Sequence, residues 1–129
     1  MGARMLPRKK RLATIPTENQ EQTKLVVWMT KANITHFAIP NGGFRNANEA
    51  FNLKRTGVKS GIPDLCIPVP TSSYHGLYLE LKRMSGGRVS DNQIFWIDYF
   101  NKVGYLAVVA RGFDEAKKII TEYLNNEEH

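Results

Sequence analysis

Pro63-Asp64-Leu65-Cys66-Ile67-Pro68-Val69 and Leu77-Tyr78-Leu79-Glu80-Leu81-Lys82 are the two stretches that decide the fold. Each is a short apolar run bounded by turn residues, as a buried strand requires. Pro70 to Gly76 reads as the turn joining strands Leu65–Val69 and Leu77–Lys82 into a hairpin. Pro68 has no N–H to give a ladder and favours an edge or a bulge. Side chains alternate along a strand, so Tyr78, Glu80 and Lys82 leave one face and Leu77, Leu79 and Leu81 the other. Glu80 is then a charge among apolar neighbours and needs compensation. A bound divalent cation would supply it, and so would Lys82 with no catalysis at all. The hairpin also carries Asp64 toward Glu80 and Lys82.

Working outward, Thr17 is a good N-cap and Gln20 falls where a capping box wants it. The spacing predicts a helix from Glu18 to about Ala32, with Leu25, Trp28, Met29 and Ala32 as its apolar stripe. Glu18, Glu21 and Gln22 fall near the upstream extension of that stripe, at the edge of the core. Thr35 to Ile39 is a short strand, ended by Pro40-Asn41-Gly42-Gly43. A second helix is expected over Asn46 to Thr56, with Ala47, Ala50, Phe51 and Lys54 on its inner side and Gly57 ending it. Gly61-Ile62-Pro63 feeds the first hairpin strand.

Beyond Lys82, Ser85-Gly86-Gly87-Arg88 reads as a flexible loop. Ser90 caps a third helix, again with Gln93 at the capping-box position. Ile94, Trp96, Ile97, Phe100 and Val103 make much of that helix apolar, and Gly104 stops it. Tyr105 to Ala110 is an apolar strand. Asp114 to about Leu124 is a last helix that packs through Ala116, Ile119, Ile120 and Tyr123. The order α-β-α-β-β-α-β-α predicts an α/β fold, helices flanking a small mixed β-sheet.

At 129 residues and 42% apolar composition, the chain suits one domain with a modest core. Residues 1–16 read as a basic arm and 17–129 as the single domain. The net charge of +6 and the pI of about 9.6 favour a polyanionic partner. Cys66 is the single cysteine, which excludes an intrachain disulfide and reads as a buried thiol. No window approaches the length of a transmembrane span, and no apolar stretch follows Arg8-Lys9-Lys10-Arg11. A cytoplasmic protein, in a bacterium or a phage-infected cell, is the expectation. His36 and His75 form no zinc pattern. Trp28 and Trp96 lie on apolar helix stripes and suit packing better than base stacking.

Two carboxylates beside a lysine at a sheet edge can hold Mg²⁺ or Mn²⁺ through hard oxygen ligands. Such an ion neutralises a scissile phosphate and activates a water, and Lys82 would orient that water or stabilise the phosphoryl oxygens. Asp and Glu-x-Lys alone are common in any chain. The chain carries further motifs: Glu18-Asn19-Gln20-Glu21-Gln22, Ile39-Pro40-Asn41-Gly42-Gly43, Lys54 through Asp64, Tyr78-Leu79-Glu80-Leu81-Lys82, Ser90-Asp91-Asn92-Gln93, and Gly104-Tyr105 before a strand. In that order they resemble the VRR-NUC nucleases, a branch of the PD-(D/E)xK superfamily, over roughly residues 17 to 124. The resemblance implies a restriction-endonuclease-like core, Asp64 and Glu80 as metal ligands, the Leu81 backbone carbonyl as a further metal contact, and Lys82 as catalytic. It implies that a helix-borne glutamate joins the site, Glu18 by spacing with Glu21 as the fallback, and that Gln93 is the glutamine following the lysine. For Glu18 the plainer reading is a favourable charge at a helix start; for Gln93 it is capping.

Asn41, Gly42, Gly43 and Arg45 form a polar loop on the expected substrate side. Asn41, Arg45, Lys54, Arg55, Lys59, Arg83 and Arg88 are candidates for DNA-backbone contacts, although each charge alone reads as a solvated one. The leading expectation is a Mg²⁺- or Mn²⁺-dependent endonuclease acting on four-way (Holliday) junctions or other branched DNA. The resemblance adds a homodimer, and paired cuts across a junction need two symmetric sites. The alternatives are a less selective nickase or end-processing nuclease, a catalytically inert DNA-binding accessory protein of replication or recombination, and an RNA-directed nuclease.

Overall fold

A computed structural model describes residues 15–40 and 46–125. The elements in chain order are α1 (Glu18–Lys31), β1 (Phe37–Ala38), α2 (Ala47–Arg55), β2 (Leu65–Ile67), β3 (Leu77–Lys82), α3 (Asp91–Lys102), β4 (Leu106–Arg111) and α4 (Phe113–Asn125). This is the α-β-α-β-β-α-β-α order read from the sequence, with a mixed sheet flanked by helices. The strands lie in the order β1-β2-β3-β4. β1 and β2 are antiparallel, as are β2 and β3, whereas β3 and β4 run parallel with α3 as their crossover.

The register sorts the side chains. Leu65 faces Leu79 and Ile67 faces Leu77, so these residues and Leu81 share one face with Ala110. Against that face lie Leu25 and Met29 of α1 and Ala116, Ile120 and Tyr123 of α4, all buried. This is the core. The opposite face carries Cys66, Tyr78, Glu80, Lys82, Ala107 and Arg111. There α3 packs through Phe100, whose ring stacks on Tyr78 at 4.0 Å. Asn101 of α3 locks β4 in place, accepting from the Ala107 N–H and donating to the Ala107 carbonyl, each at 2.9 Å.

Both capping boxes form, Thr17 with Gln20 and Ser90 with Gln93. Several elements are shorter than their sequence patterns. The strand read over Leu65–Val69 ends at Ile67 because the Val69 N–H turns back to the Ile67 carbonyl, 2.9 Å away, around Pro68. The strand read over Thr35–Ile39 keeps only two ladder residues.

The expected inner side of α2 is also corrected. No residue of α2 is buried, Phe51 is 64% exposed, and Ala47 and Lys54 are exposed as well. Of the expected set only Ala50 is half-buried, joined by Leu53, which was not expected there. α3 buries no residue fully either; Ile94 and Val103 are exposed, while Trp96, Ile97 and Phe100 are half-buried. Trp28 packs against the core with its ring edge-on to Phe113. Among the described residues no helix is long and apolar enough to cross a membrane.

Candidate active site at the end of β3

Asp64 precedes β2 by one residue, and the β2–β3 register continued by one step sets it opposite Glu80. Leu81 lies past the last β2 partner, so its N–H has no strand to bond. The Asp64 carboxylate accepts it at 2.8 Å. N–H and C=O of one residue point to the same side of a strand, so the Leu81 carbonyl leaves β3 on the Asp64 side.

Gly61 explains how the segment before Asp64 can lie where it does. Its φ is +92°, and a Cβ there would meet the Asn92 backbone at 2.6 Å. Only glycine allows the first turn of α3 to come this close. That approach brings Gln93 to Glu80. The Gln93 amide donates from Nε2 to Glu80 Oε2 at 2.9 Å and accepts at Oε1 from the Ser90 N–H at 2.8 Å. One side chain therefore serves as helix cap and as carboxylate partner, using opposite ends of its amide.

Glu80 is 2% exposed. Lys82 Nζ lies 3.7 Å from Glu80 Oε2. Glu80 Oε1 is buried without a hydrogen-bond donor. Burial, then the negative charge of Asp64, push the Glu80 pKa up to about 8 against the partial relief from Lys82. Burial also raises Asp64, although the Leu81 N–H works the other way. The pair thus holds a proton or needs a cation.

The two helix-borne glutamates separate. Glu18 is close enough for its charge to act on both Asp64 and Glu80, and its Oε2 lies 3.7 Å from where a Gly87 Cβ would be. Glu21 points elsewhere. Its Oε1 accepts from the Phe113 N–H at 3.1 Å, at the first turn of α4, and its buried Oε2 has no donor.

Among the described residues no group of three or more His, Cys, Asp or Glu side chains is arranged to hold a metal ion. A hard divalent ion such as Mg²⁺ does not require one, since it keeps several waters and binds through one or two carboxylates plus substrate phosphates. Asp64, the donorless Glu80 Oε1 and the Leu81 carbonyl are donors of that kind, so the residues fit such an ion.

A model of the VRR-NUC domain matches residues 16–114. The chain belongs to the VRR-NUC domain family. A solved structure described as "VRR_NUC domain protein" superposes with a TM-score of 0.77 at 29% identity, covering 89% of this chain and 93% of that one. No curated relative matches the chain. VRR-NUC membership makes this a nuclease-type domain of the PD-(D/E)xK kind, with DNA as the implied partner and divalent-metal use in keeping with it.

The candidate backbone contacts are dispersed. Lys54 and Arg55 are exposed in the last turn of α2, and Lys59 and Arg88 are exposed in loops. Arg83 is half-buried, and its Nε is buried without a partner. Asn41, Gly42, Gly43 and Arg45, together with the basic arm up to residue 14, lie outside the described residues. Two residues were not singled out by the sequence pattern. Asn101 sits among apolar neighbours on α3. Arg111 ends an apolar strand beside Lys82, and a charge in that place was the available signal.

Proposed function

We propose that this VRR-NUC chain is a Mg²⁺- or Mn²⁺-dependent endonuclease that hydrolyses phosphodiester bonds in branched DNA, four-way junctions foremost. The observation that carries it is the Asp64–Glu80 pair, with a buried oxygen lacking a donor, beside Lys82. In this reading Asp64, Glu80 and the Leu81 carbonyl hold the ion, with Glu18 joining from the start of α1. Bound there, the ion supplies charge neutralisation at the phosphate and a more acidic water. Lys82, fixed by Glu80, orients the attacking water and faces the charge that develops on the phosphoryl oxygens. Gln93 holds the Glu80 carboxylate in one orientation. Water adds at phosphorus, the bond to the 3′ oxygen breaks, and the products carry a 5′-phosphate and a 3′-hydroxyl. The exposed Lys54, Arg55, Lys59 and Arg88 contact the DNA backbone, so recognition follows shape more than base sequence.

The test is cleavage of an end-labelled four-way junction and of a matched linear duplex, with Mg²⁺, Mn²⁺ or EDTA. The expected result is metal-dependent cutting near the branch, lost in Asp64→Ala and in Glu80→Ala. Equal cutting of both DNAs would remove the junction preference and leave the nuclease. Tight binding without cutting by the folded wild type would overturn the enzymatic reading in favour of an accessory role.

A further inference from the structure

We propose that Arg111 is a positioning residue for Lys82: its guanidinium ties the Gly86-Gly87 turn down beside the lysine and shields that side chain from bulk water. The inference rests on the reading of Lys82 as part of the reacting site.

The parallel register pairs Lys82 with Arg111, so both side chains leave the same face of the sheet. Arg111 Nη1 donates to the Gly86 carbonyl at 2.6 Å and to the Arg83 carbonyl at 3.4 Å, and Nη2 donates to the Gly87 carbonyl at 3.0 Å. One guanidinium thus gathers three carbonyls of the segment that directly follows Lys82. Gly86 and Gly87 have φ of +78° and +70°, left-handed conformations that fold the chain back toward the end of the strand. A Cβ on Gly87 would stand 3.7 Å from Lys82 Cδ and equally far from Glu18 Oε2. The turn therefore lies against the lysine stem and the Glu18 carboxylate together.

Lys82 is 7% exposed, uncommon burial for a lysine, and it pairs with the Glu80 carboxylate. Its backbone is fixed as well, since the Gly112 N–H donates to the Lys82 carbonyl at 2.9 Å. Two adjacent glycines are costly to order. A planar fork that bonds several carbonyls at once offsets that cost, as a single ammonium cannot. The same bonds distinguish Arg111 from a phosphate contact, because most of its fork is already committed to the protein. The turn and Arg111 also line an open recess of about 540 Å³ with Met84, Ser85 and Arg88. A DNA phosphate seated there is the competing role.

The test reads Lys82 itself. Native protein without added metal is reductively methylated for short times, and modification at each lysine is quantified by mass spectrometry. Arg111→Ala is expected to speed Lys82 modification about tenfold or more through local opening, with exposed Lys54, Lys59 and Lys102 unchanged. Gly86→Ala strains the same turn without touching the arginine, since a Cβ there meets nothing within 4 Å. It should move Lys82 in the same direction, and it serves where Arg111→Ala does not fold. On cleaved DNA, Arg111→Ala should lower kcat with little change in KM. Unchanged Lys82 reactivity in a folded variant, or a raised KM with intact kcat, would overturn the proposal and assign Arg111 to phosphate binding. The labelling does not depend on cleavage, so it stands or falls apart from the nuclease reading.

Discussion

Glu80 is buried, has one carboxylate oxygen without a donor, and shares its surroundings with Asp64. Without a cation the fold therefore holds it most favourably as the neutral acid, with a pKa of about 8 against the ordinary 4.5. The sign of the pH dependence follows. Below about pH 4.5 folded and unfolded chains are both protonated there, and the contribution is fully present. Between 4.5 and 8 the unfolded chain has released a proton that the folded chain still binds, so stability falls as pH rises. The loss is on the order of a few kcal/mol and levels off above the folded pKa. Urea midpoints at pH 5 and pH 8 check this: Glu80→Gln should flatten the dependence, and parallel profiles for variant and wild type would refute it. Mg²⁺, which prefers the ionised pair, should raise Tm more at pH 8 than at pH 5. Gln93 gives a second test at this scale. Glu at position 93 keeps the capping acceptor but replaces the amide donor to Glu80 by a further carboxylate. Gln93→Glu should therefore change stability by less than about 1 kcal/mol while cutting kcat by about tenfold or more. Equal loss of stability and rate would reduce Gln93 to a cap.

The first helix poses the same question for elements, because its two glutamates serve different ones. Glu21 caps α4 from across the core, by its bond to the Phe113 N–H, whereas Glu18 acts electrostatically on Asp64 and Glu80. Glu21→Ala should lower stability by about 1–2 kcal/mol, as loss of a cap at a helix start does. Glu18→Ala should leave the urea midpoint nearly unchanged and reduce cleavage. The reverse pattern would exchange the two roles. Much of this arrangement was legible in the sequence, because it is local. Capping boxes span three residues, strand alternation spans two, and one turn sets the hairpin, so α1, α3, β3 and the Asp64–Glu80–Lys82 grouping could be read directly. What could not be read depends on distant chain. The apolar residues of α2 looked like an inner face, yet a helix finds an inner side only where another element covers it. Spacing to Gln22 favours Glu18 over Glu21 but could not say what Glu21 does instead, because its partner lies in α4, 92 residues away. Arg111 escaped notice because its meaning comes from the parallel β3–β4 register, which no local pattern encodes.

At the scale of the whole molecule, one chain carries one Asp64–Glu80–Lys82 site and a net charge of +6. The charge favours binding to any DNA and weakens that binding as salt is raised, but it does not make paired cuts. Opposed cuts made together at a four-way junction are supplied most directly by two sites related by a two-fold axis, as in a homodimer. The number of cuts per binding event therefore reports the assembly. A supercoiled plasmid that extrudes a cruciform goes to linear product if both strands are cut before the protein leaves, and to nicked circle if one strand is cut. Wild type should give linear product from the outset. Glu80→Gln should cut nothing while still binding. Mixed and allowed to exchange subunits, the two should form heterodimers with a single competent site, and nicked circles should accumulate in proportion to them. Sedimentation at the same protein concentration should show a mass of two chains. A monomer that gives nicked circles alone would remove the dimer and leave a nickase, whereas linear product undiminished by excess variant would mean that one site makes both cuts in turn.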